Sequence, residues 1–393
     1  MFTSPQAAPQ DHKLELADIF RLHGPAYLEK YGERMPPSHA RAIADIIDCR
    51  TPALGGEVYF CEECLDYRYS YHSCKNRSCN KCGHEQAQEW FEKQKSHLLP
   101  VTYFMATFTL HDNLRRVAGS HQRLIYDLLF RTSAAATQKL AADPEYVGGT
   151  LGMAGVLQTW TRDLRVLHPH THYIIPGGGL DANGQWRPAR QNFLVPKRAL
   201  SKIFRAKFRD ALKQADPELF NTIPPETWKE KWVVHLQAVG TGEHALKYLA
   251  PYIFQVAISN KRLLKLDDGM VTFKYKDGKT KAWKAKTMPA EKFIASFLQH
   301  VMPPRFVKVR YYGLLSSQKH EQLEKVKELL TVQNAKPETP ATGETPAEVP
   351  DEPAEEKSKT LCCPKCGQKM RWIKEVPRNR IATQRLLLYA RSP

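Results

Sequence analysis

The segment His168-Pro169-His170-Thr171-His172-Tyr173-Ile174-Ile175-Pro176 carries the side chains best placed for chemistry. Tyr173, Ile174 and Ile175 favour extended backbone, Pro176 and Gly177-Gly178-Gly179 bound it, and alternate residues of a strand share a face. His170 and His172 then converge on one point as two imidazole donors suited to a divalent metal. His168 lies two residues back, behind Pro169, which lacks the N–H that regular pairing uses. Farther on, Tyr248 and Tyr252 stand four apart in a stretch, 243–258, that reads as a helix, so both phenols can reach a common point. Pro251, between them, lacks a backbone donor and is expected to kink that helix. Each pair alone also has a plain explanation, as polar strand-end histidines or as aromatic packing.

A second chemistry belongs to the nine cysteines. Cys61-Glu62-Glu63-Cys64 and Cys79-Asn80-Lys81-Cys82 are two Cys-x-x-Cys knuckles whose four thiolates suit one tetrahedral, closed and therefore structural zinc. Cys49 and Cys74, with His39, His72 or His84, are candidates for further ligands. Cys362, Cys363 and Cys366 make one knuckle, which is half a zinc site. The formal net charge of +17 makes a polyanion the first partner to consider, nucleic acid ahead of a membrane surface. Tyr67, Arg68, Tyr69, Tyr71, Lys75, Arg77 and Lys81 lie in and between the knuckles and suit base stacking and phosphate contact. Lys202, Arg205 and Arg209 form part of a basic stripe on a later helix; such a stripe equally suits a solvated face. No leader is read at residues 1–13 and no apolar run is long enough to span a bilayer, so a soluble, cytoplasmic protein is expected, with metal rather than disulfides explaining the cysteines.

These groups need a scaffold. Residues 11–31 read as one or two short helices broken at Gly24-Pro25, followed by a helix capped by Ser38. Tyr103 to Leu110, Val156 to Trp160, Trp232 to Val239 and Phe306 to Arg310 read as strands. Helices are expected over 124–140, from Pro196 onwards, and over 291–300, with a hairpin around Lys276-Asp277-Gly278-Lys279. The fold class is α+β. Four parts are expected: 1–95, helices and a zinc-binding DNA-contact domain; 96–330, the catalytic domain; 331–360, a disordered acidic Pro-rich linker; and 361–393, a basic Cys-containing tail.

Taken in order, several segments resemble the rolling-circle transposases of the insertion sequence 91 family, members of the HUH endonuclease superfamily. They are Cys49-Arg50-Thr51 with the knuckles and Ser73-Cys74-Lys75-Asn76-Arg77; Phe108-Thr109-Leu110; Leu157-Gln158-Thr159-Trp160; the histidine segment; Tyr248-Leu249-Ala250-Pro251-Tyr252; and Arg310-Tyr311-Tyr312-Gly313-Leu314-Leu315. Thr171 departs from the family's bulky apolar residue, Pro251 from a basic residue, and Ser78 from a frequent histidine. The resemblance implies an HUH-type antiparallel sheet with packed helices, preceded by a small helical and zinc-binding domain. It implies Mg²⁺ or Mn²⁺ on His170 and His172, with His168 or Gln255 as third ligand, and Tyr248 and Tyr252 as nucleophiles. They would nick and join single-stranded DNA at element ends through a 5′-phosphotyrosine, in a bacterial, nucleoid-associated setting. Two other readings are a metal-dependent hydrolase without a covalent intermediate and a zinc-dependent nucleic-acid-binding protein without catalysis.

Overall fold

The computed structural model describes residues 13–161, 164–254, 257–278, 280, 282–334 and 361–379; most of the expected linker and the end of the tail lie outside them. The chain opens with helices α1 (Leu16–Tyr31) and α2 (Pro37–Asp48), the hairpin β1 (Gly56–Cys61) and β2 (Asp66–Tyr71), and helix α3 (Gly83–Lys95). The expected break at Gly24-Pro25 does not occur, and α1 runs through Pro25. A helix-interior proline costs about 3 kcal/mol. Burial of Leu16, Ile19, Phe20 and Leu28 at about 1.5–3 kcal/mol each outweighs it. Gly24 lets α1 sit close to α2, since a Cβ there would meet Ile43 at 3.3 Å. Helix α2 starts at Pro37 with no side-chain cap, so Ser38 is not the expected N-cap.

The central unit follows: β3 (Tyr103–Thr109), α4 (Arg115–Ser120), α5 (Gln122–Ala141), β4 (Thr150–Leu151), β5 (Met153–Trp160), β6 (Leu167–Pro176), β7 (Gly178–Leu180) and β8 (Trp186–Pro188). It continues with α6 (Lys197–Ala215), α7 (Pro217–Asn221), β9 (Val234–Gly240) and α8 (Gly242–Phe254). A meander, β10 (Leu263–Asp267), β11 (Met270–Lys276) and β12 (Trp283–Pro289), then leads to α9 (Ala290–Leu298), β13 (Val309–Tyr312), α10 (His320–Asn334) and β14 (Arg371–Val376). The fold is the expected mixture of helices and antiparallel sheet.

The main sheet has five antiparallel strands in the order β13-β5-β6-β3-β9. One face, with Phe104, Phe108, Leu157, Tyr173 and Ile175, packs on Ile125, Leu129 and Phe130 of α5 and Phe204 and Phe208 of α6. The other face presents Tyr103, Ala154, Val156 and Ile174 to Ala245, Leu246, Leu249 and Ile253 of α8. Tyr173 needs a glycine opposite it: a Cβ on Gly155 would stand 2.4 Å from its ring. The meander closes on the N-terminal helices, with Phe20 and Phe297 edge to face at 5.4 Å. Among the described residues no helix is long and apolar enough to cross a membrane.

Strand β14 departs from the expected separate tail by adding to the edge of β1, giving the sheet β14-β1-β2. Its own packing is thin. Within 361–379 only Cys363 and Met370 are buried. One buried methionine contributes about 1.5–3 kcal/mol, whereas fixing even the six strand residues costs about 1–2 kcal/mol each in backbone entropy.

Candidate metal and tyrosine site

Register on the sheet brings three donors together. Gln158 of β5 pairs with His170 of β6, and Thr107 of β3 pairs with His172, so all four side chains stand on the face that α8 covers. The Oε1 atom of Gln158 is 3.1 Å from His170 Nε2 and 3.2 Å from His172 Nε2. His170 Nδ1–H donates to the His168 carbonyl at 2.7 Å, which fixes the tautomer and turns the Nε2 lone pair towards Gln158. His172 Nδ1 lies 3.0 Å from Thr107 Oγ1. Burial, then the neighbouring His172, pushes His170 down to about 3; burial alone pushes His172 down to about 4, so both rings are neutral. For His170 this leaves a lone pair facing the amide oxygen, an arrangement that a cation between them would relieve. Ligand atoms at right angles about a divalent ion, each roughly 2.1 Å from it, stand about 3.0 Å apart, close to the observed separations.

Gln158 is a third candidate donor that the sequence does not single out, although its segment carries part of the family resemblance. Its signal is parity: it sits an even number of residues from Val156 and Ala154 on the same strand face. His168 does not join the centre, because its Nδ1 faces Arg115 Nη2 at 3.0 Å. Strand β6 nevertheless runs through Pro169, whose carbonyl accepts from the Leu110 N–H at 3.0 Å. Gln255 lies outside the described residues.

Helix α8 carries both tyrosines and continues through Pro251. Its apolar residues lie on the histidine face of the sheet, and Tyr248 is 42 % exposed. The side chain of Tyr252 lies outside the described residues. Lys308 donates to the Ile253 carbonyl at 2.7 Å and so holds the last turn of α8. Burial, with Arg77 nearby, pushes this lysine down to about 7.

The cysteines regroup. The two N-terminal knuckles do not share one tetrahedron. Cys79 and Cys82 meet Cys49 and Cys74, whereas Cys61 and Cys64 meet Cys363 and Cys366; within each set all Sγ atoms lie within 4.8 Å of one another. The hairpin β1–β2 extends the first knuckle away from the second, which is why neighbours in sequence are not partners in space. In the first set Cys49 follows α2 and Cys82 precedes α3, with Cys82 Sγ 3.5 Å from Cys49 and 3.6 Å from Cys74. His39 belongs to neither set; burial pushes it down to about 4. The side chain of His84 lies outside the described residues.

Residues 19–110 match the family model described as a transposase zinc-binding domain, and residues 152–322 match the model described as a putative transposase. The putative transposase y4qJ of Sinorhizobium fredii is 35% identical over 377 residues, covering 90% of this chain and 93% of that protein. The transposase for insertion sequence element IS801 of Pseudomonas savastanoi pv. phaseolicola is 28% identical over 295 residues, 70% of each chain. The chain belongs to the insertion sequence 91 family of transposases. No solved structure matches it.

In this transposase the zinc-binding model spans the whole Cys49–Cys74–Cys79–Cys82 set, whose four mutually close sulfurs fit a structural zinc. Several expected DNA contacts have other duties. Arg77 donates to the carbonyls of Phe306 and of Pro303, the latter at 2.7 Å, so it ties the zinc domain to the 303–306 segment instead of facing outwards. Lys81 pairs with Glu15 at 2.6 Å, and Arg205 donates to the carbonyls of Lys229, at 3.0 Å, and Glu230. Arg68 is exposed but donates to the Cys362 carbonyl at 3.1 Å, and Arg209 pairs with Asp210. Lys75 and Lys202 are exposed. The closing motif is structural. Arg310 lies over Phe130 and Phe306 and pairs with Asp127, while Gly313, at φ 55°, has no room for a Cβ against the Leu151 carbonyl.

Proposed function

We propose that this transposase nicks and joins single-stranded DNA at the ends of its element through a covalent 5′-phosphotyrosine. The observation carrying the reading is the convergence of His170 Nε2, His172 Nε2 and Gln158 Oε1 on the sheet face beneath the helix of Tyr248 and Tyr252. This donor set fits Mg²⁺ or Mn²⁺, with imidazole favouring Mn²⁺, and Gln158 takes the third position assigned from sequence to His168 or Gln255. A cation bound there would neutralise charge on the non-bridging phosphate oxygens during attack.

The chain's own groups do the rest. The phenol oxygen of Tyr248 or Tyr252 forms a bond to phosphorus, the bond from phosphorus to the 3′ oxygen breaks, and the phenolic proton is passed to that oxygen to leave a free 3′ hydroxyl. The phosphotyrosine keeps the free energy of the broken linkage, so rejoining needs no nucleotide cofactor. Two tyrosines let one strand end be held while another is cut. His168 Nδ1 lies outside the donor set, beside Arg115, which is itself paired with Asp112 at 2.5 Å.

Incubation of the full chain with Mn²⁺ and single-stranded oligonucleotides from the element ends should yield a protein–DNA adduct stable to denaturation. The Tyr248→Phe, Tyr252→Phe double variant should yield none. An adduct that persists in this variant sinks the tyrosine assignment; cleavage without adduct points instead to activation of water and a hydrolase.

A further inference from the structure

The Cys61–Cys64–Cys363–Cys366 set lies half outside the zinc-binding match, which ends at residue 110. It is built from two similar knuckles about 300 residues apart in sequence. Each has Cys-x-x-Cys followed by a residue of positive φ, Leu65 at 49° and Gly367 at 78°, so each chain reverses immediately after its second cysteine. The C-terminal knuckle is a closed turn: Gly367 N–H donates to the Cys363 carbonyl at 2.8 Å, and Cys363 N–H to the Gln368 carbonyl at 2.7 Å. Across the gap Cys61 Sγ is 3.5 Å from Cys366, and Cys363 Sγ is 3.9 Å from Cys64. Four sulfurs about 2.3 Å from a tetrahedral zinc stand roughly 3.8 Å apart, whereas a disulfide needs about 2.05 Å. The spacings fit the ion.

Surrounding contacts align the knuckles but do not hold them. Lys365 pairs with Asp66 at 2.7 Å and Arg371 with Glu62 at 2.9 Å, all largely exposed side chains of the kind that contribute little. The apolar cluster beside the sulfurs has one buried side chain other than cysteine, Met370. A strand this thinly packed needs another source of order.

We propose that Cys61, Cys64, Cys363 and Cys366 bind a second zinc ion, which clamps the 361–379 segment onto the hairpin β1–β2 so that the two form one metal-ordered unit. The ion satisfies all four thiolates and registers β14 on β1. The clamp stands independently of the strand-transfer chemistry, because it shares no ligand with His170 or His172.

Metal analysis of the full-length protein, purified under reducing conditions with zinc, should give two zinc ions per chain, and zinc-edge X-ray absorption should give all-sulfur coordination. The Cys363→Ser, Cys366→Ser double variant should retain one ion, while Cys362→Ser, next to the knuckle, should retain two. A specific protease site placed within 335–360 supplies a second measurement. After cutting, the C-terminal piece should stay with the body of the protein and leave it when a chelator is added. One zinc in the unaltered protein, two in the double variant, a 61/64-to-363/366 disulfide in place of the metal, or release of the cut piece without chelation would each overturn the clamp.

Discussion

The cysteine clusters and the histidine centre solve opposite problems with the same kind of contact. Each cysteine set offers four soft thiolates, which close a tetrahedron and leave no position for substrate. The histidine centre offers two nitrogens and one oxygen on the sheet face beneath α8, half of an octahedron, which would leave the other positions for water or phosphate. The supports differ accordingly. The sulfurs sit on knuckles and helix ends that the metal itself can order, whereas His170, His172 and Gln158 are fixed by ladder pairing in the middle of a packed sheet. Closed sites of the first kind supply structure; open ones of the second kind can supply chemistry.

The largest expected effect breaks the closed side of this contrast. Cys79→Ser should cost the first zinc, and because structural zinc contributes on the order of 10 kcal/mol in small domains, the N-terminal unit should lose protease resistance. On the open side, His172→Ala should lower adduct formation by about 10²–10³-fold with zinc content and melting temperature near those of the parent. A parallel loss of zinc would mean that the two kinds of site are not separate.

Acid should strain the buried imidazoles next. His300 donates from Nε2 to the Leu164 carbonyl at 2.7 Å, and burial pushes it down to about 4. Above pH 6.5 it is neutral both folded and unfolded. As pH falls towards 4 the unfolded chain takes up the proton and the folded chain does not, so stability falls, by roughly 3 kcal/mol from this residue. Melting temperatures at pH 7 and 4.5 should show the drop, and His300→Gln should make it smaller by this residue's share, the buried His39, His170 and His172 supplying the rest. The smallest effect sharpens the ligand assignment: Gln158→Ala should lower adduct formation by about 10–100-fold, and Gln158→Glu should recover much of it. An unchanged rate in Gln158→Ala would remove Gln158 from the centre.

Local pattern made much of the scaffold legible. Strand β3 begins at Tyr103 as expected, α5 covers the expected 124–140, and α6 follows Pro196, because apolar periodicity and a proline at the helix entrance are properties of neighbouring residues. The same holds for the His170–His172 pair, whose two-residue spacing fixes a shared face whatever the fold. Pro25 shows where local rules yield: a helix breaker is overruled once its neighbours are buried against α2 and α9.

Partnership over long range was the illegible part. Nothing near Cys61 in the chain marks Cys363 as its companion, and a compact spacing pointed to Cys79 instead. Gln158 meets the two histidines only through strand register, Arg77 and Lys81 lost their expected outward role through contacts 226 and 66 residues away (303 − 77; 81 − 15), and His168 was turned aside by Arg115. The sequence by itself determined which residue types could bind metal and attack phosphate, and the local backbone that presents them, because both are set within a few residues. Only the tertiary structure decided which donors meet, because that depends on sheet register and on the return of the 361–379 segment to the hairpin β1–β2.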